Sequence, residues 1–171
     1  YVDLYLIHWP VKSKYKATYK ALEKLYTEGR AKAIGVCNFS VTQLEDLMGH
    51  SPIIPALNQV EMHPHLSQNE LLGFCTTNNI QLEAWRPIMM GEVLQIPELI
   101  EIGKAHDKSA VQVALRWLIQ RGVAAIPKST NPKRIAENFQ VYDFELSPNQ
   151  MEIIASLNQD RRLGEDLSHI E

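Results

Sequence analysis

Short apolar runs alternate with amphipathic stretches along nearly the whole chain, and the connections between them are brief. No other feature constrains the fold as strongly, because strand, helix and strand joined by so few residues form crossovers within a parallel sheet. Val2 to His8 is a near-continuous apolar run, the pattern of a strand buried on both faces. Tyr15 to Glu28 repeats Tyr19, Leu22, Leu25 and Tyr26 at helical spacing and stops at Gly29. Ala33–Cys37, Ala56–Val60, Ile80–Trp85 and Val123–Ile126 complete a set of five predicted strands. Helices are predicted over Val41–Met48 with Ser40 as cap, and from Ser67 to about Thr77, where Glu70 stands at capping-box spacing. Further helices are predicted over Pro97–His106, Ser109–Arg121 (ended by Gly122), Asn131–Phe139 and from Ser147-Pro148 to about Leu157.

These elements define an α/β chain with a parallel sheet. No linker or low-complexity segment divides residues 1–171, so one domain is expected. The polar tail from Asp160 is expected to be loosely held.

Hydrophobic residues make up 45% and charged residues 22%, and the net charge is −3, which removes an extended nucleic-acid surface from consideration. Cys37 and Cys75 have neither metal-ligand nor disulfide-framework spacing, which points to a reduced, cytoplasmic setting. No apolar run approaches the roughly 18 residues of a membrane helix. His63 and His65 lack a third ligand at fitting spacing, so no metal is expected. Met89-Met90 falls in a predicted loop and reads as an adaptable pocket wall.

The run Ala124-Ala125-Ile126-Pro127-Lys128-Ser129 ends a strand in a cation and a hydroxyl. A helix then begins near Pro132 and carries Arg134 and Asn138 four residues apart, on one face. Strand end, basic residue and helix N-terminus together suit a phosphate, since backbone N–H groups and the helix dipole favour an anion there. At the other end of the sequence, Leu6-Ile7-His8-Trp9-Pro10 sets a histidine at a strand tip.

Five motifs in order give the chain a family resemblance: Asp3-Leu4-Tyr5-Leu6-Ile7-His8-Trp9-Pro10, Gly35-Val36-Cys37-Asn38-Phe39-Ser40, Asn58-Gln59-Val60-Glu61-Met62-His63-Pro64, Glu83-Ala84-Trp85-Arg86-Pro87 and Ile126-Pro127-Lys128-Ser129. It resembles the aldo-keto reductases, and among them the bacterial members that reduce small aldehydes and ketones with NADPH. The resemblance implies a (β/α)8 TIM barrel with its site at the C-terminal strand ends. Its motifs correspond to the family's strands four to eight, so the chain is expected to be a partial barrel lacking the first three βα units.

The resemblance also implies roles. His8 orients the carbonyl and shares in stabilising the developing oxyanion, and Trp9 forms a wall of the substrate pocket. Asn38 and Gln59 hold the nicotinamide carboxamide, and Trp85 stacks on the ring. Lys128, Ser129 and Arg134 clamp the adenosine 2′-phosphate, which favours NADP(H) over NAD, and Asn138 faces the adenine, with Glu137 a weaker candidate.

Two positions depart from the family pattern, which has serine at both. Cys37 supplies only a weak donor. Arg86 either pairs with the pyrophosphate or reaches solvent. The family's acid tyrosine, its lysine and its aspartate come from segments before the fourth strand and have no counterpart here. The chain alone is therefore expected to lose about 10²–10⁴-fold in rate on that account. A catalytically silent NADPH-binding module or a truncated remnant are the alternatives. Unpaired sheet edges are expected to favour self-association or pairing with the missing half.

Overall fold

The computed structural model describes residues 1–165. It contains five strands, β1 (Val2–Ile7), β2 (Ala31–Cys37), β3 (Leu57–Glu61), β4 (Gln81–Trp85) and β5 (Ala124–Ala125), in the order β1-β2-β3-β4-β5. The β1–β2, β2–β3 and β4–β5 pairings are parallel. Seven α-helices accompany them: α1 (Tyr15–Thr27), α2 (Val41–Met48), α3 (Asn69–Thr77), α4 (Pro97–His106), α5 (Ala110–Gln120), α6 (Pro132–Phe139) and α7 (Pro148–Ala155). The α/β class with a parallel sheet is thus as expected from the alternation.

The described residues fall into two compact units, the first comprising 1–60 and 69–82, with Glu165, and the second 61–68 and 83–164. In the first unit, α1 buries Tyr15, Tyr19 and Leu22. Gly29 follows with φ +69, a left-handed conformation that glycine adopts without a Cβ penalty. Ser40 caps α2 in a reciprocal capping box with Gln43, which satisfies two otherwise orphaned donors. The Tyr15 hydroxyl donates to the Asp46 carboxylate, linking α1 to α2.

In the second unit, α5 buries seven side chains, Trp117 among them. Ser109 closes its N-terminus in a capping box with Gln112, and Ser147 does the same for α7 with Gln150.

Four expectations need correction. β1 is largely exposed, with Val2 at 48% and Tyr5 at 48%, although its run reads as doubly buried. It stands at the end of the strand order and pairs only with β2. Ser67 is not a helix cap, since α3 starts at Asn69 after Gln68 takes φ +48, and the Ser67 amide instead donates to Asn158 Oδ1 at 2.9 Å. β5 has two residues rather than four, because pairing with β4 is limited to Glu83↔Ala124 and Ala84↔Ala125. Met89 and Met90 occupy a 3₁₀ segment (Met89–Gln95), with Met89 fully buried as core and Met90 75% exposed, so they share no wall.

The β2–β3 contact sets a steric limit at Gly35, where an added Cβ would lie 2.4 Å from Leu57 O and 2.9 Å from Leu6 Cδ2. The backbone oxygen cannot swing aside as a side-chain end could. Gly35→Ala should therefore destabilise the fold by about 1–3 kcal/mol, the usual range for overpacking, as a lower urea midpoint with unchanged slope.

Candidate active-site elements

In the first unit the motif residues meet at strand ends. His8 follows β1 and is exposed, while Trp9 is half-buried with its ring centroid 5.1 Å from the imidazole. Asn38 follows β2 with φ +64, a left-handed conformation that asparagine tolerates better than most residues. Its amide N–H donates to Gln59 O at 2.9 Å and its side-chain Nδ2 to His8 O at 3.1 Å. The asparagine therefore ties the ends of β1 and β2 to the middle of β3, and helix capping falls to Ser40 instead. His8, Asn38 and Gln59 form one linked group.

Beneath them lies a residue to which sequence reasoning assigned no role. Asn58 is fully buried, donating from Nδ2 to Phe39 O at 2.9 Å and accepting from Phe39 N at 3.4 Å. An amide side chain matches a backbone N–H and C=O pair in one gesture, and this fixes the turn that carries Asn38. Cys37 is buried at 4% exposure, which suits a small core residue better than a reactive thiol.

In the second unit, Trp85 ends β4 half-buried, and Arg86 follows with φ +52. The Arg86 guanidinium carbon lies 5.3 Å from the Trp85 ring centroid, and its Nη1 is buried without a hydrogen-bond partner. Nη1 is buried although Arg86 as a whole keeps part of its surface exposed. An orphaned, buried guanidinium nitrogen is suited to an anionic oxygen.

Lys128 is exposed and Ser129 half-buried after β5. The expected grip of the α6 N-terminus on an anion is corrected by the structure. Asn131 Oδ1 accepts from Lys133 N at 2.9 Å and from Arg134 N at 3.3 Å, so these amides already have a partner. Any phosphate recognition there rests on side chains. Arg134 is exposed and Asn138 half-buried on α6, a helix with no buried residue. Glu137 lies 3.9 Å from Lys133 on the same helix.

A second residue without an expected role is Glu61, the last of β3. It is fully buried, as is His63, whose Nε2 lies 3.2 Å from Glu61 Oε1. The same oxygen accepts from Leu163 N at 2.7 Å and from Gly164 N at 3.1 Å, and Oε2 lies 3.1 Å from Gly164 N. Burial pushes the carboxyl pKa up, but the His63 bond and the two amides outweigh it and hold it below the ordinary value near 4.5.

The tail is therefore not loosely held as far as Gly164, and the portion of that expectation beyond Glu165 lies outside the described residues. Gln159 N and Arg161 N both donate to His65 O at 3.1 Å, and Arg161 pairs with Glu92 at 3.0 Å. An acidic residue inside an apolar strand was the sequence signal for Glu61. Its amide partners, Leu163 and Gly164, lie about a hundred residues away and could not be read from spacing.

A parallel α/β sheet whose polar motif residues, Gln59 within β3 apart, stand at or beyond the strands' C-terminal ends is the arrangement used by enzymes of the barrel type. The chain belongs to the aldo/keto reductase family, whose sequence profile matches residues 1–159. It is 53% identical over 164 residues to a glyoxal reductase of Bacillus subtilis, covering 96% of this chain and 59% of that protein. The uncharacterized oxidoreductase YtbE of the same organism is 52% identical over 166 residues, covering 97% and 59%.

Among solved structures, MGS-M4, an aldo-keto reductase enzyme from a Medee basin deep-sea metagenome library, superimposes with a TM-score of 0.94 at 43% identity, covering 100% of this chain and 64% of that one. A Gox0644 mutant in complex with NADPH gives 0.93 at 42% identity, covering 98% and 63%. The chain thus spans about three fifths of the length of the relatives it matches.

The lowered Glu61 pKa gives a pH dependence of definite sign. The stability it contributes is present above the unfolded value near 4.5 and is lost as pH falls through the lower folded value. Urea stability of the chain should fall on this acid limb, and Glu61→Gln should flatten that limb. An identical slope in the variant would assign the acid sensitivity to other carboxylates.

Proposed function

We propose that this chain carries the cofactor-binding and carbonyl-orienting residues of an NADP(H)-dependent aldo-keto reductase acting on small aldehydes or ketones. The observation that carries the reading is the placement of the family's motif residues, in order, along and just beyond the strands: His8 after β1, Asn38 after β2, Gln59 on β3, Trp85 and Arg86 at the end of β4, and Lys128 and Ser129 beyond β5. The five strands are read as the fourth to eighth of one barrel domain, on motif order alone.

The donor set fits the cofactor. The buried, unpartnered Arg86 Nη1 suits a pyrophosphate oxygen. Lys128 and Arg134, which make no ion pair among the described residues, suit a 2′-phosphate, with Ser129 and Asn138 beside them in sequence. Bound NADPH supplies a hydride to the carbonyl carbon. His8 donates a hydrogen bond to the carbonyl oxygen and stabilises the charge that develops there, Trp9 walls the substrate, Asn38 and Gln59 orient the carboxamide, and Trp85 offers its ring face.

Proton delivery is the step this chain serves poorly. Burial, with the Asp46 carboxylate beside it, pushes the Tyr15 pKa up to about 12, and burial, with Glu23 nearby, raises that of Tyr19 as well. Neither is tuned as a proton donor. That observation favours a second reading, an NADPH-binding module that is catalytically silent on its own.

Tryptophan quenching during titration with NADPH and NADH separates these possibilities, with consumption of NADPH in the presence of a small aldehyde as the second measurement. NADPH should bind more tightly than NADH. Lys128→Ala with Arg134→Ala should weaken NADPH by about ten- to a hundredfold, roughly the 1.5–3 kcal/mol of a single charged hydrogen bond because both side chains are exposed, and leave NADH nearly unchanged. Equal affinity for the two nucleotides, or no effect of the double variant, overturns the cofactor assignment. Binding without turnover selects the silent module.

We further propose that β1 is covered by a second copy of this chain. Tyr1 is 83% exposed, and Val2, Leu4 and Tyr5 are exposed beside it on the strand that begins the sheet order among the described residues. Light scattering should show association that rises with concentration and is suppressed by Val2→Lys with Leu4→Lys. A wild-type chain that stays monomeric across the concentration range removes this partner proposal.

A further inference from the structure

We propose that Glu61 is a positioning residue for Trp85: its carboxylate clasps the amides of Leu163 and Gly164 and so seats the Gly164 backbone against the indole. The link to cofactor binding rests on the reading of Trp85 as the stacking residue given above. The clasp itself stands on geometry.

A carboxylate with no exposed surface is unfavourable unless its lone pairs are filled by good donors. Glu61 finds them in two consecutive backbone amides at 2.7 and 3.1 Å and in the His63 imidazole at 3.2 Å. Consecutive amides converging on one anion form a small concave donor site, and amides do not titrate, so the grip persists wherever the carboxylate is ionised.

The same segment is fixed upstream of the clasp. Asn158 accepts from Ser67 N, the His65 carbonyl accepts from Gln159 and Arg161, and Arg161 pairs with Glu92. The clasp is the last tie in this series before Glu165.

At Gly164 the chain meets the indole. A Cβ built there would lie 2.5 Å from Trp85 Cη2, 3.2 Å from Cζ3 and 3.1 Å from Glu61 Oε2. Only a residue without a side chain fits while the carboxylate and the ring keep their places. Trp85 is held from its backbone as well, since its carbonyl accepts from the amide of Met62, the residue after Glu61. One carboxylate and its chain neighbour thus restrain both the backbone and the ring edge of the tryptophan. An ordinary packing role for Glu61 would not require this junction to be made by a charged group.

Hydrogen exchange resolved at Leu163 and Gly164, tryptophan emission and NADPH titration should be measured on the chain and on Glu61→Ala, Glu61→Gln and Gly164→Ala. Glu61→Ala should release amide protection at both residues and shift the emission. Glu61→Gln, which keeps a carbonyl oxygen for the amides, should restore most of the protection. Gly164→Ala should retain amide protection yet shift the emission, because it pushes the ring without removing the carboxylate, and it keeps the test open if Glu61→Ala does not fold.

Both emission shifts should vanish in a Trp85→Phe background. NADPH affinity should fall about threefold to tenfold in Glu61→Ala and Gly164→Ala, the scale of one aromatic contact. Unchanged exchange at Leu163 and Gly164 in Glu61→Ala, or an unshifted spectrum in Gly164→Ala, overturns the proposal. If the wild-type chain binds no NADPH while the exchange and emission changes occur as expected, the clasp stands and the cofactor reading fails.

Discussion

Parallel strand pairing is the constraint from which the candidate site follows. When β1, β2 and β3 run the same way, each must end on the same side, and the register Ile7↔Val36 and Cys37↔Gln59 brings the residues at and after those ends to one level. The single asparagine at position 38 can then reach both neighbours, bonding to His8 O and Gln59 O. In the second unit the pairing Ala84↔Ala125 sets the relation between Trp85 and the chain leading to Lys128. Three residues distant in sequence become neighbours in the first unit through backbone geometry, before any side chain chooses a partner.

Much of this was legible in the sequence because it is local. The helix starts at Ser40, Ser109 and Ser147 are legible in the sequence, Ser40 as a cap, and the structure adds that each serine forms a reciprocal box with the glutamine three residues on. The α/β alternation was legible for the same reason, since periodicity is carried within each segment. The failures lie where pairing overrides local preference. β1 has the composition of a buried strand, yet it is exposed because burial depends on what stands beside it. The Ser67 and Glu70 spacing suggests a box, but the left-handed turn at Gln68 moves the helix start two residues on.

The candidate site was legible in its motif residues and silent in its supports. His8, Asn38 and Trp85 belong to strings specific enough to be recognised. Asn58 lies within those strings without marking itself, and Glu61 shows only as an acid in an apolar strand, because the role of a buried polar residue is defined by its partners. Asn58 serves Phe39, and Glu61 serves amides in the tail. A sequence displays the groups that face a ligand more readily than the groups that hold those groups still.

The capped start of α6 carries a consequence for how such a chain can change. Because Asn131 already accepts from the amides of Lys133 and Arg134, those two donors at the helix start are satisfied within the chain, and the exposed Arg134 side chain takes no part in that cap. On the proposed reading, discrimination between nucleotides then rests on exposed side chains attached to a scaffold indifferent to them. Preference for one nucleotide over another then becomes a trait that substitutions at exposed positions can alter without touching a buried residue of that helix.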